Sequence, residues 1–391
     1  MKNQEQGETM RIAVKLTSVG MLAVLAGCSS LNPFASKPAP RNPPAALEQF
    51  QQTMAVQTAW STSVGSAANF VFTPAVVSGS AFVAAADGTL ARIDAASGRT
   101  DWRINAGAPL TAGVGSDGTT IAVGAEKGVL LAFNADGKLR WKAQVSSEIL
   151  SAPAVGQNLV IVRSVDNRIA AFDAESGSRR WIAQRPTPPL TLRTAPGITI
   201  DGSNAYVAMP GGRLLALALT NGGPRWEAAV GDPRGTTELE RIADLSGSPV
   251  VAGQDVCAVA YQGRVACFNA VTGAPRWGKE LSSDVGLGLD ERYVFAADER
   301  GTVTAFSRDS GSGAWRTAKL ANRGLSAPVV LGRAVAVGDN QGYIHFLSRE
   351  DGAMLARIST DGSQVTAAVP VTSTRAIFQT KAGTVVALAA E

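Results

Sequence analysis

Catalysis and metal binding draw on a short list of side chains, and this sequence offers few of them in workable groups. It has one histidine, His345, and three cysteines, Cys28, Cys257 and Cys267, in 391 residues. A zinc site, a Ser-His-Asp triad or a Cys-His dyad would each have to be built around His345 alone. That residue stands in the alternating stretch GYIHFLS, where a strand histidine satisfied by one hydrogen-bond partner is the expected state. On this inventory no catalytic residue and no metal site is assigned. Cys257 and Cys267 flank a turn in DVCAVAYQGRVACF, and their available chemistry is a cross-strand disulfide. The turn decides it. A two-residue turn at Gln262 and Gly263 pairs Ala258 with Cys267 and sends the sulfurs to opposite faces, whereas a three-residue loop aligns them. The net charge of +4 is small for this length, and Lys and Arg are scattered rather than gathered into a stripe. Nucleic acid is therefore not an expected partner.

Cys28 carries a different chemistry. The stretch RIAVKLTSVGMLAVLAGC, residues 11 to 28, has a basic start, an apolar run too short to span a bilayer, and small residues after it. This is the layout of a secretory signal. Its last four residues, LAGC, resemble the lipobox of bacterial lipoproteins, which implies that residues 1–27 are removed and that Cys28 is lipidated. Ser29 follows, where an Asp favours retention at the inner membrane in such lipoproteins. The resemblance thus implies delivery to the outer membrane, with the chain held on the periplasmic face by acyl chains worth about 0.8 kcal/mol per buried methylene. The run SSLNPFASKPAPRNPPAA, with Pro33, Pro38, Pro40, Pro43 and Pro44, resists helix and sheet alike. A semi-extended tether is expected over residues 28–56 and a folded body over 57–391.

The body is one theme repeated. Its copies include DGTLARIDAASGRTDW (87 to 102), DNRIAAFDAESGSRRW (166 to 181) and QGRVACFNAVTGAPRW (262 to 277), and they recur at a step of about 42 residues, the range of propellers and related arrays. The first Gly of each copy falls at 88, 128, 212, 263, 301, 342 and 383, and only Asn167 replaces it. Asn is the residue that best tolerates a left-handed backbone after Gly, so each of these positions reads as a tight hairpin turn. A second Gly about ten residues on closes another turn and leads into a strand bearing Trp. With the short stretch before each hairpin, every copy supplies four strands, and radial repetition of such sheets makes a β-propeller. The final copy, AGTVVALAAE, supplies three strands only, while QTAWSTS (57 to 63) is a Trp-bearing strand with no hairpin before it. The expected fold is all-β, an eight-bladed propeller whose last blade is completed by the N-terminal strand. All seven Trp residues fall at one repeat position and Ala356 is the vacancy, so the indoles are expected to be structural, packed between blades.

The pattern Asp or Asn, two residues, Ser, Thr or Asp, Gly, three residues, Trp resembles the repeat of pyrroloquinoline-quinone-type propellers over nearly the whole body. Quinone-dependent dehydrogenases use that repeat, and so does the BamB family of lipoproteins in the outer-membrane β-barrel assembly machinery. The dehydrogenases are longer and typically need a vicinal Cys pair and acidic metal ligands on extended loops, whereas here Cys257 and Cys267 are apart and the loops are mostly minimal. The lipobox, the Pro-rich tether and the eight repeats together are similar to the BamB family, which implies a scaffold with no cofactor and no catalytic activity. It further implies binding to BamA and help in folding and inserting outer-membrane proteins, with unfolded substrates as a further partner class. A quinone-dependent dehydrogenase and a generic ligand-binding propeller are the alternatives. Two connections exceed the usual spacing: RPTPPLTLRTAP (185 to 196) and GDPRGTTELERIADLSGSP (231 to 249). In the second, Leu239, Ile242 and Leu245 have the spacing of a short helix. By resemblance these loops dock BamA, with Leu190, Leu192, Arg193, Arg241 and Asp244 as contact residues. Ser246 stands where the family can carry a second acid.

Overall fold

In each repeat, alternating apolar residues interrupted by left-handed turns fold into an antiparallel sheet. The computed structural model describes residues 42–391; Cys28 and the signal-like segment lie outside them. The described residues form eight four-stranded sheets. Seven follow in chain order, over residues 75–105, 110–144, 154–184, 198–229, 245–280, 287–317 and 329–359, and are numbered one to seven. The eighth takes Val365–Thr372, Arg375–Thr380 and Thr384–Ala390, and its outer strand is Val56–Ser63 from the other end of the chain. That ladder runs from Val56 opposite Ala390 to Ser63 opposite Thr384. The first strands of successive sheets touch one another in a closed circle, including the first against the eighth, so they line the axis. The expected eight-bladed propeller with its mixed last blade is the observed architecture.

Neighbouring blades are fastened by the tryptophans. Each indole nitrogen donates to a backbone carbonyl of the next blade: Trp60 to Ala95 (3.1 Å), Trp102 to Ala135 (2.9 Å), Trp141 to Ala174 (2.9 Å) and Trp181 to Leu219 (2.7 Å). Trp226, Trp277 and Trp315 do the same to Ala270, Arg308 and Arg349. The accepting carbonyl lies in the turn between third and fourth strands, and a carboxylate or amide shapes that turn. Asp94 Oδ1, for example, accepts from the Ser97 amide (2.8 Å) and hydroxyl (2.6 Å). Gly98 follows with φ 76°, and a Cβ there would lie 2.4 Å from Cγ of Trp60. The Asx-turn residue, the glycine and the tryptophan of the repeat are thus one device spread over two blades. Each ring buries an area worth several kcal/mol, on roughly 150–250 Å² at about 25 cal/mol per Å².

The sequence pattern conceals a further regularity. In all eight sheets the ladder between third and fourth strands slips by one residue immediately before the tryptophan position, Ala356 included. A bulge there adds local twist and turns the outer strand, which aims the side chain at the next blade. The left-handed turns also hold, with one shift. Asn167 has φ 60° and the repeat glycines φ from 73° to 101°, but in the fifth blade the left-handed residue is Gln262 (φ 48°), not Gly263.

Ala356 lacks a tryptophan because its target is missing. No hairpin joins Thr384–Ala390 to Val56–Ser63, so the eighth blade has no turn to receive an indole. Met54, 3% exposed, shares one buried cluster with Ala356, Leu331, Leu355, Leu388 and Ala390 and fills this seam. The docked chain begins earlier than the expected boundary at 57. The Ala45 amide donates to Ala321 O (2.8 Å), Arg323 donates to Ala45 O (2.8 Å), Arg357 to Glu48 O (3.2 Å), and the Thr53 amide to Leu355 O (3.0 Å). Arg357 also lies over the Phe50 ring at 5.1 Å. The last part of the expected tether is therefore bound to the link before the seventh blade and to the seventh and eighth blades, with Phe50 and Met54 giving it apolar side chains to pack.

The cysteine question resolves as the three-residue loop: Cys257 stands opposite Cys267, with Tyr261, Gln262 and Gly263 between the strands. The sulfurs are joined and both residues are buried. His345 is likewise structural. It is fully buried, its Nε2 meets Asp339 Oδ2 at 2.8 Å, and Arg323 Nε donates to the same oxygen at 2.7 Å. Burial holds the His345 pKa below its ordinary value, against the pull of Asp339.

These contacts set the expected behaviour of three variants or treatments. Gly98→Ala lowers the urea midpoint well below that of Gly79→Ala, because both residues are left-handed but only Gly98 faces an indole; the difference should exceed about 1 kcal/mol. Met54→Ala costs about 2–5 kcal/mol in the same assay, a buried-Met truncation. Cys257 and Cys267 take up alkylating reagent in urea only after reduction, which mass spectrometry of the peptides reads.

Candidate protein-docking loops

Both long connections adjoin the fourth blade. Residues 185–197 lead into it from the third, and residues 230–244 lead out of it to the fifth. With four antiparallel strands per sheet, connections between blades fall at the same end as the turns between second and third strands. The corresponding turn of the fourth blade, residues 210–212, thus belongs to the same end as both loops.

Asp244 ties these three pieces together. Its Oδ2 accepts from the Leu192 amide at 2.6 Å and its Oδ1 from the Gly211 amide at 2.9 Å. It is 2% exposed. Burial pushes its carboxyl above the ordinary range, while the two amide bonds and the charge of Arg163 pull the other way. Arg163 is itself buried, and desolvation brings its guanidinium down to about 10. The resemblance makes Asp244 a contact residue; in this structure both of its oxygens accept from backbone amides and its side chain lies beneath the loop surface. Ser246 also points inward and donates to Ser283 O at 2.8 Å.

The short helix expected around Leu239, Ile242 and Leu245 does not form. The Arg241 amide reaches the carbonyls of Thr237 and Glu238, closing one turn, and the strand begins at Leu245. Glu240 Oε2 accepts from the Thr236 (2.8 Å) and Thr237 (3.1 Å) amides. One turn so capped has too few residues to repay helix nucleation, and burial of Ile242 and Asp244 fixes the path of the chain into the strand. Leu239 is left 68% exposed.

The outward face of the two loops carries exposed leucines, with arginines paired to glutamates beside them. Leu190 is 39% exposed and Leu192 half-buried. Arg193 is exposed and pairs with Glu148 at 2.9 Å. Such an exposed pair contributes at most about 1 kcal/mol, so the guanidinium is cheaply re-partnered. Arg241 braces its own loop through Gly235 O (3.1 Å) and Glu238 (3.7 Å). Apolar side chains held out of a core on preorganised loops suit a protein partner.

A quinone site of the dehydrogenase kind does not fit these residues. The two described cysteines are apart in sequence, buried in the fifth blade and joined to each other. Among the described residues no three His, Cys, Asp or Glu side chains gather as metal ligands.

Comparison with known proteins agrees with this geometry. A family model described as outer membrane protein assembly factor BamB matches residues 55–109, 86–317 and 301–391. The chain belongs to the BamB family. An outer membrane protein assembly factor BamB from Bordetella pertussis is 44% identical over 387 residues, 99% of this chain and 98% of that one. One from Burkholderia pseudomallei is 41% identical, over 95% and 97% of the two chains. The crystal structure of BamB from Moraxella catarrhalis superposes with a TM-score of 0.78 at 27% identity, over 86% of this chain and all (100%) of that one. A quinohemoprotein alcohol dehydrogenase from Comamonas testosteroni, at 15% identity and a TM-score of 0.67, shares the fold alone.

Asp244→Ala strips the Leu192 and Gly211 amides of their acceptor. It should cost about 1–3 kcal/mol in urea unfolding and speed tryptic cleavage after Arg193 in the native protein.

Proposed function

We propose that this chain is a non-enzymatic lipoprotein scaffold of outer-membrane protein assembly, anchored through Cys28 on the periplasmic face of the outer membrane. Its role is to hold BamA through the periplasmic domains of that partner and so assist insertion of β-barrel proteins. The observation that carries this reading is the near full-length similarity to proteins named as BamB assembly factors. The loops supply a mechanism. A ring fixed by indole clasps is a rigid platform, and Asp244 fixes two neighbouring loops on it before any partner arrives. Docking then costs little ordering entropy. Leu190, Leu192 and Leu239 offer the apolar centre, and Arg193 and Arg241 the charged rim, which is the division of labour of a compact hot spot. No helix among the described residues is long and apolar enough to cross a membrane, and the acyl chains on Cys28 do the anchoring.

The test is capture of BamA by the lipidated protein and by Leu192→Ala combined with Arg193→Ala. The double variant should lose most of the captured BamA while its near-UV tryptophan spectrum stays that of the parent. Undiminished capture by the folded variant removes the site assignment.

A further inference from the structure

The one repeat position where Asn stands in place of Gly is also one where a side chain is used. Asn167 has the left-handed backbone of its turn. Its Nδ2 donates to Pro186 O at 3.2 Å, and its Oδ1 accepts from Arg163 Nη1 at 3.1 Å. Its carbonyl accepts from the Arg185 amide at 3.2 Å, and the preceding carbonyl, of Asp166, accepts from the Thr187 hydroxyl at 3.3 Å. The residue is fully buried. Thus the turn of the third blade grips the first loop at its root. The equivalent turn of the fifth blade does the same to the second loop. Gln262 is also left-handed, and with its amide oriented to satisfy both neighbours it donates to Glu240 O at 2.8 Å and Ile242 O at 3.1 Å. Between them, Asp244 ties the loops to the turn of the fourth blade.

We infer that Asn167 and Gln262, with Asp244 between them, are positioning residues that set the placement of the two docking loops. A glycine serves the backbone at most other turns of this kind, since it adopts φ near 60° without strain. The backbone of neither turn therefore requires an amide side chain. Asn167 divides its side chain between Arg163 of its own blade and Pro186 of the first loop, and Gln262 gives its nitrogen to the second loop. Arg163 belongs to the same device. Its buried guanidinium, drawn by Asp244 and Asp166, fixes the Asn167 amide with oxygen toward Arg163 and nitrogen toward Pro186. These residues lie one blade to either side of the loops' shared blade, so the device frames the site from both flanks. The inference rests on the docking reading for its functional half and on geometry alone for its structural half.

The two halves separate in one set of variants, Asn167→Gly, Gln262→Gly and the pair together, in the full-length protein. Glycine keeps the left-handed turn in each, so both single variants should still unfold cooperatively; Asn167→Gly should lower the urea midpoint, since it strips Arg163 and Pro186 of a partner, and Gln262→Gly should lower it less. Amide hydrogen exchange is followed over residues 186–194 and 236–243. In Asn167→Gly the first segment should exchange about tenfold faster and the second unchanged; in Gln262→Gly the order reverses. The double variant should bind purified BamA periplasmic domains about tenfold more weakly, the loss of roughly one buried hydrogen bond's worth of preorganisation. Unchanged exchange in both segments overturns the anchoring. Faster exchange with unaltered BamA affinity overturns the positioning role and leaves the anchors as structure only. If the parent itself fails to bind BamA, the fault lies with the docking reading, and the exchange data still decide the anchoring.

Discussion

Everything in this molecule depends on one ladder, the pairing of Val56–Ser63 with Thr384–Ala390. Without it, the eighth sheet would end in the long apolar strand Thr384–Ala390 as an exposed edge, and such edges invite pairing with other chains. The ladder covers that strand by joining segments more than 300 residues apart in sequence. It also carries a cost in order of assembly: every contact in the eighth blade between its outer and third strands waits for the last residues of the body to arrive. The seven forward-reaching tryptophans share the remaining load. Each links a blade to its successor only, so they form a chain of nearest-neighbour couplings that spans every seam but that of the seventh and eighth blades.

Much of this is legible in the sequence because the repeat is local. Left-handed glycines, Asx turns and the tryptophan recur at fixed offsets, and the truncated final copy and Trp60 name their own pairing. The hidden features are nonlocal. The one-residue bulge before every tryptophan position leaves no mark, since it arises from the way a twisted outer strand meets the adjacent sheet. The vacancy at Ala356 is visible, but its filling by Met54 is not, because Met54 lies in a proline-poor stretch with no repeat to align it. At Asn167 the repeat reveals the demand on the backbone and is silent about the work of the side chain.

The loops show the same division. Their length sets them apart from the other connections, and Leu190 and Leu239 are exposed on them. At Asp244 resemblance carries a residue's importance without its manner of acting. A carboxylate spent on two backbone amides is indistinguishable, in sequence, from one offered to a partner. The helix periodicity of TELERIADL fails for a related reason: Leu245 is buried as the first residue of a strand, within the sheet cluster, and Ile242 is buried outside any helical stripe.

The segment from Ala45 to Met54 has a mechanical meaning. Three arginines, Arg323, Arg357 and Arg333, hold the carbonyls of Ala45, Glu48 and Thr53 in succession. A tug arriving from upstream is spread in shear across these grips, and only then reaches Met54 and the closing strand. The ring is thus insulated from whatever pulls on the chain before residue 44: strain fades along the strap instead of unzipping the one seam that has no tryptophan.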